Sequence, residues 1–155
     1  MKEHEIKAIL SDCLSFQGME PVYIEKLVDC ADDICFDSDE FIFREGQQAD
    51  KFYLIYEGLV ALEMGGQERG PLTIQTIGKG EIVGWSWLFP PYRWHFDART
   101  KQVTRAIVFD ARCIRAKCEQ DFAFGYDLMK RFAHIVVERL QATRLQLLDV
   151  YGSQR

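Results

Sequence analysis

Phe41-Ile-Phe-Arg-Glu-Gly-Gln-Gln-Ala-Asp-Lys-Phe-Tyr-Leu-Ile-Tyr-Glu-Gly-Leu-Val-Ala-Leu62 decides how this 155-residue chain is read. Residues 41–44 form a strand-like run, Glu45-Gly46 a corner, and Gln47 to Asp50 a polar loop. A mostly apolar strand over 51–56 then reaches a lone glycine, Gly58, and a further strand over 59–64. These runs are rich in β-branched and aromatic residues, as strands bounded by turns are.

The pattern extends outward on both sides. Residues 33–36 read as a strand, and Gly65-Gly66 opens a hairpin loop that runs to Gly70-Pro71. Leu72-Thr-Ile-Gln-Thr-Ile77 alternates apolar and polar residues, the period of a half-buried strand. Gly78-Lys-Gly-Glu81 is a turn, and 96–101 and 104–109 supply the last strands. Many short strands at roughly 8–12-residue spacing predict a sandwich or jelly roll over residues 33–109.

Helical spacing flanks this β region. Ile6, Ile9, Leu10, Cys13 and Leu14 share one face, and Tyr23, Ile24, Leu27 and Val28 follow Pro21 at a helix-start position. Residues 1–31 are thus a helical N-terminus, and 110–152 a helical C-terminus. Asp110 caps a short helix over 111–119, and a long one runs from about 121 to 150. Leu128, Phe132, Ile135, Val136, Leu140, Thr143, Leu147 and Val150 form a stripe along it. A helix of about 30 residues extends about 45 Å, beyond a small barrel. We expect a homodimer seam at Leu128, Phe132, Val136, Leu140 and Leu147.

The totals fit one mainly-β domain over 1–155 with flanking helices. No apolar run approaches the roughly 20 residues of a membrane helix, and the charged N-terminus has no signal-peptide core. A cytoplasmic protein is the simplest reading. The net charge of −5 and the interrupted basic segments at 93–101 and 130–144 argue against nucleic-acid binding by this chain. Cys13, Cys30, Cys35, Cys113 and Cys118 are odd in number with no CxxC pair, and read as buried free thiols. His4, His95 and His134 are scattered without a metal motif, so no metal or cofactor is expected.

The strand–Glu-Gly corner–strand–Gly58–strand order closely resembles the front half of a cyclic nucleotide-binding domain, a jelly roll that senses small effectors. The likeness covers about residues 14–151. Leu140-Gln-Ala-Thr-Arg144 and Leu148-Asp-Val-Tyr-Gly152 resemble the dimerising helix of the catabolite-activator/Fnr regulators, in which a DNA-reading module follows. Only three residues follow Gly152, so the resemblance implies the sensor half alone, as a stand-alone protein or a piece of a longer one. Some relatives carry an iron–sulfur cluster on closely spaced N-terminal cysteines, a spacing absent from this sequence.

The resemblance also locates a ligand site. The family's phosphate-binding cassette begins Phe-Gly-Glu and ends with an arginine two residues before an alanine. The glutamate binds the ribose hydroxyl; backbone N–H groups and the arginine hold the cyclic phosphate. Val83-Gly84 matches Phe-Gly here, but Trp85 stands at the glutamate. Aligned back from Asp110, the arginine position falls on Trp94; Arg93 lies on the opposite face of an extended strand unless a bulge brings it in. Either the aromatics fill the pocket, or they line an altered one with Tyr92, Arg93 and His95 as polar handles. Ser86 can cap a short turn over 87–89, and Thr143 stands where relatives reach the purine from the long helix. The resemblance implies a non-enzymatic sensor of an unidentified small effector, with doubtful cAMP or cGMP binding. A ligand-free dimerising scaffold is the alternative, and a cupin-like metalloenzyme a distant third, since only His95 lies among the strands.

Overall fold

The computed structural model describes residues 2–65 and 70–152, with the side chains of 151 and 152 left aside. Residues 66–69 of the expected hairpin loop and the three residues after Gly152 lie outside the described residues. Helix α1 (Glu3–Asp12), a 3-10 turn (Leu14–Phe16) and helix α2 (Pro21–Val28) precede the strands. These are β1 (Ala31–Phe36), β2 (Phe41–Phe43), β3 (Lys51–Glu57), β4 (Val60–Met64), β5 (Leu72–Ile77), β6 (Ile82–Val83), β7 (Asp97–Thr100) and β8 (Thr104–Asp110). A second 3-10 turn (Ser86–Leu88) lies between β6 and β7, and helices α3 (Ala111–Gln120) and α4 (Phe122–Gly152) follow.

The strands make two four-stranded antiparallel sheets, ordered β1-β8-β3-β6 and β2-β7-β4-β5. β3 buries four consecutive residues, Phe52 to Ile55, because both faces of its sheet are covered. Phe52 stacks on Phe109 at 4.5 Å and on Trp87 at 4.7 Å, and the edge of Phe132 from α4 meets both Phe52 and Trp87 at 5.1 Å. This cluster joins the long helix to the jelly roll.

Gly58 makes the β3–β4 corner possible. Its φ is +108°, and a Cβ there would sit 2.5 Å from Thr104 Oγ1 and 2.7 Å from the Val103 carbonyl oxygen, so only glycine fits. Asp110 caps α3 as its position predicts: one carboxylate oxygen accepts from the Arg112 and Cys113 N–H groups, at 2.9 and 3.2 Å.

The cysteine expectation is corrected. Cys30 and Cys113 form a disulfide across 83 residues. The β1–β8 register sets Ala31 against Phe109, and the Asp110 N–H donates to the Cys30 carbonyl at 2.9 Å. Strand pairing thus delivers two distant cysteines to one point. Of the free thiols, Cys13 is buried, Cys118 half-buried and Cys35 exposed.

Candidate functional site

β6 delivers the chain to Gly84, whose φ of +101° turns it into Trp85 and the 3-10 turn. Trp94 lies directly against that glycine. A Cβ on Gly84 would meet Trp94 Cη2 at 2.6 Å and Cζ3 at 2.7 Å, so any side chain there would have to expel the indole. Trp94 is 4% exposed. The indole stacks on Phe43, ring centres 3.8 Å apart and planes 8° apart. Phe96 links this pair to Trp85, lying 5.9 Å from Phe43 and 6.2 Å from Trp85 in an edge-on contact. The two tryptophans belong to one aromatic cluster walling the Gly84 turn.

The polar candidates do not converge there. The segment around Trp94 is pinned to the Glu45–Ala49 loop: the Gly46 N–H donates to the Trp94 carbonyl, the Trp94 N–H to Gln47 and the Ala49 N–H to Tyr92. Arg93, in an isolated bridge with Gln48, is exposed, and its Nη1 donates to the Gly46 carbonyl at 2.9 Å. His95 is exposed as well. Tyr92 has a φ of +56°, and its ring lies 4.4 Å beneath the Arg115 guanidinium of α3, so it faces a cation of its own fold.

Ser86 is corrected from cap to first residue of its turn. Trp85 holds the N-cap position, and no side chain caps it. Thr143 is exposed, and its hydroxyl donates to the Arg139 carbonyl one turn back at 2.9 Å, a common local bond of helical threonine.

α4 has two faces where the sequence reading drew one stripe. Leu128, Phe132 and Ile135 are buried on the jelly roll. Leu128 and Phe132 are therefore removed from the expected seam: they are core residues of their own chain. Leu140 and Leu147 remain outward, 49% and 53% exposed, while Val136 is half-buried. Phe122, Tyr126 and Met129 extend the exposed face toward the start of the helix.

Arg139, missed by the sequence reading, ends the buried row. It is 7% exposed, its Nη2 donates to the Ile82 carbonyl, and its guanidinium carbon lies 5.4 Å from the Trp85 ring centre. Burial pulls its pKa down, against the opposing pull of Glu81 and Glu138. The signal was available: Leu128, Phe132, Ile135 and Arg139 follow one another at spacings of four, three and four, one helix face. Among the described residues no group of three or more His, Cys, Asp or Glu is arranged to hold a metal, and no helix is long and apolar enough to cross a membrane.

Comparison with known proteins agrees with this architecture. The chain is 24% identical over 142 residues to the CRP-like cAMP-activated global transcriptional regulator of Mycobacterium tuberculosis, covering 92% of this chain and 62% of that protein. It thus spans under two thirds of that relative's length. A cyclic nucleotide-binding domain from Methylobacillus flagellatus superposes with a TM-score of 0.80 at 18% identity, over 95% of this chain and 83% of that one. The sensor domain of the transcriptional regulator DNR from Pseudomonas aeruginosa gives 0.72 at 14% identity, over 90% and 93%. The family model described as the cyclic nucleotide-binding domain matches residues 34–121, more than half of the sequence. With the jelly roll, the Gly84 turn and the long helix in place, this chain belongs to the cyclic nucleotide-binding domain family.

Proposed function

We propose that this chain is a non-enzymatic regulatory domain whose cassette is closed to cyclic nucleotides and whose long helix pairs with that of a second copy. One observation carries the first half: the Trp94 indole packs on Gly84, where the family resemblance puts the cyclic phosphate. A nucleotide entering there must evict an indole stacked on Phe43. It would then meet no guanidinium, because Arg93 is exposed and committed to the Gly46 carbonyl. A cyclic phosphate buried without a cation is expensive, and Trp85 offers the ribose hydroxyl no carboxylate. The mycobacterial relative is called cAMP-activated; this chain keeps the frame of such a sensor and not its cassette chemistry.

The second half rests on α4. Its exposed face carries Phe122, Tyr126, Met129, Leu140 and Leu147, at spacings that reduce to alternating fours and threes through Ala133, Val136 and Thr143. That period supports a two-stranded seam. An effector acting on this domain would change how the paired helices sit, a two-state response. The packing of both tryptophans into the aromatic cluster favours a second reading, a dimerising scaffold with no small ligand.

Isothermal titration of the whole chain with cAMP and cGMP tests the closed cassette. We expect no saturable heat at millimolar nucleotide; a dissociation constant in the low micromolar range for either nucleotide overturns the proposal.

A further inference from the structure

The disulfide lies at the rim of the fold. Cys30 directly precedes β1, an edge strand of its sheet, and Cys113 is in the first turn of α3. Both cysteines line a cleft of about 400 Å³, and Cys113 is only half-buried. A bridge between an edge strand and a helix end opens by local motion more readily than one across a core.

α3 is held on two opposite faces. Cys113 ties it to the start of β1. Arg115 stands two residues on, about 200° around the helix. Its Nη1 donates to the Trp87 carbonyl at 2.7 Å, and its guanidinium lies 4.4 Å from the centre of the Tyr92 ring. Trp87 belongs to the 3-10 turn that follows Gly84, and Tyr92 to the segment leading into Trp94. The helix is thus a strut between the disulfide and the turn beside the cassette.

We propose that the Cys30–Cys113 bridge is a thiol switch: a dithiol reduces it in the folded chain, and the freed α3 relaxes its hold on the cassette turn through Arg115. A thiolate of the dithiol attacks one bridge sulfur, and a mixed disulfide forms as the other cysteine leaves and takes up a proton. The reductant's second thiol, deprotonated, then attacks the mixed disulfide, and the remaining cysteine leaves and is protonated. Two electrons pass to the bridge, the dithiol becomes a disulfide, and its two protons end on Cys30 and Cys113. The reduced chain stays folded because other ties remain. The Asp110 N–H still donates to the Cys30 carbonyl and the Ala111 N–H to the Asp50 carbonyl, and Lys117 still pairs with Asp29 at 3.3 Å. The exchange is independent of the cassette reading; its consequence at the turn rests on that reading.

Dithiothreitol serves as the probe on the whole chain. Exchange is quenched by alkylation, and peptides carrying Cys30 and Cys113 are read by mass spectrometry. Both cysteines should become reduced together in native buffer, at a rate unchanged by urea well below the unfolding midpoint, and should re-pair in excess oxidised dithiothreitol. A rate that climbs with urea in step with global unfolding would make the bridge a purely structural tie and overturn the switch. The link to the turn is read from the thiol–disulfide equilibrium in mixtures of reduced and oxidised dithiothreitol. Coupling is reciprocal, so Arg115→Met should shift that equilibrium toward the dithiol by at least about fivefold, and Arg115→Lys, which keeps the charge, by less. Arg112→Met, at an exposed position of the same helix, should leave it unchanged. Equal equilibria for the parent and both Arg115 variants would sink the link. Neither readout involves a nucleotide, so failure of the closed cassette and failure of the switch are separately visible.

Discussion

Trp94 is the residue on which the functional reading turns, and its packing has a measurable consequence. Trp94→Ala removes a stacked, buried indole and leaves a cavity beside Gly84, which should cost about 4 kcal/mol in urea unfolding. A loss well under 1 kcal/mol would mean that the indole is not held as described. Counting along the cassette set Trp85 and Trp94 at the glutamate and arginine positions that the family resemblance implies, and both side chains belong to the aromatic cluster around Gly84. The side taken by Arg93 was left open in the sequence, between alternation and a one-residue bulge; in the structure the side chain is exposed and donates to the Gly46 carbonyl. The fates of Ser86 and Thr143 were not legible in the sequence. Short hydroxyl side chains bond to whichever backbone group is nearest, and for Thr143 that group is the Arg139 carbonyl one turn away. Arg139 went unread because a charged residue in an apolar row looks like a surface interruption until its face is known.

At the scale of elements, α4 shows why a stripe of apolar residues is ambiguous. The sequence carries two rows on one helix, and the eye joins them. Only the jelly roll separates them, taking Leu128, Phe132 and Ile135 for its core and leaving Leu140 and Leu147 outside. The rows should respond differently to mutation. Leu140→Glu with Leu147→Glu should shift the chain from dimer to monomer in sedimentation velocity with little change in the barrel's melting; a parent that sediments as a monomer at all concentrations refutes the seam. Leu128→Ala should instead destabilise the fold by about 3 kcal/mol. The second sheet carries its own electrostatic link. Glu63 on β4 receives Arg99 Nε and Nη2 from β7, each at 2.9 Å. Burial pushes the Glu63 pKa up, but the hydrogen bonds and charge of Arg99, with Lys101, outweigh it and hold it below the usual value. Its contribution is thus fully present above the unfolded pKa of about 4.3 and is lost as pH falls through the lower folded value. Glu63→Gln should flatten that acid limb of a stability–pH curve; an unchanged limb removes the pair from the account. Strand β6, only Ile82–Val83, was not read as a strand because two residues show no period.

For the whole molecule, the Cys30–Cys113 bridge ties the start of the first sheet to α3, across 83 residues of sequence. Five cysteines without close spacing gave no sign of it; only the β1–β8 register brings the two together. On the chain-entropy view, closing so long a loop stabilises by about 4.5 kcal/mol, so Cys30→Ser should lower the unfolding free energy by about that much, and reduction of the parent should match the variant. Equal stability of parent and variant under oxidising conditions would contradict the bridge. The jelly roll itself was legible from turn glycines and short apolar strands, since those features act locally. What joins the layers, namely the Phe52–Trp87–Phe132 cluster, the disulfide and the Trp94–Gly84 contact, depends on residues far apart in sequence. The most direct test of the central claim is crystallisation of the whole chain in excess cAMP. The account predicts the Trp94 indole still stacked on Phe43 against Gly84, with no nucleotide beside it; an indole swung away and a cyclic phosphate on the Gly84 backbone would contradict it.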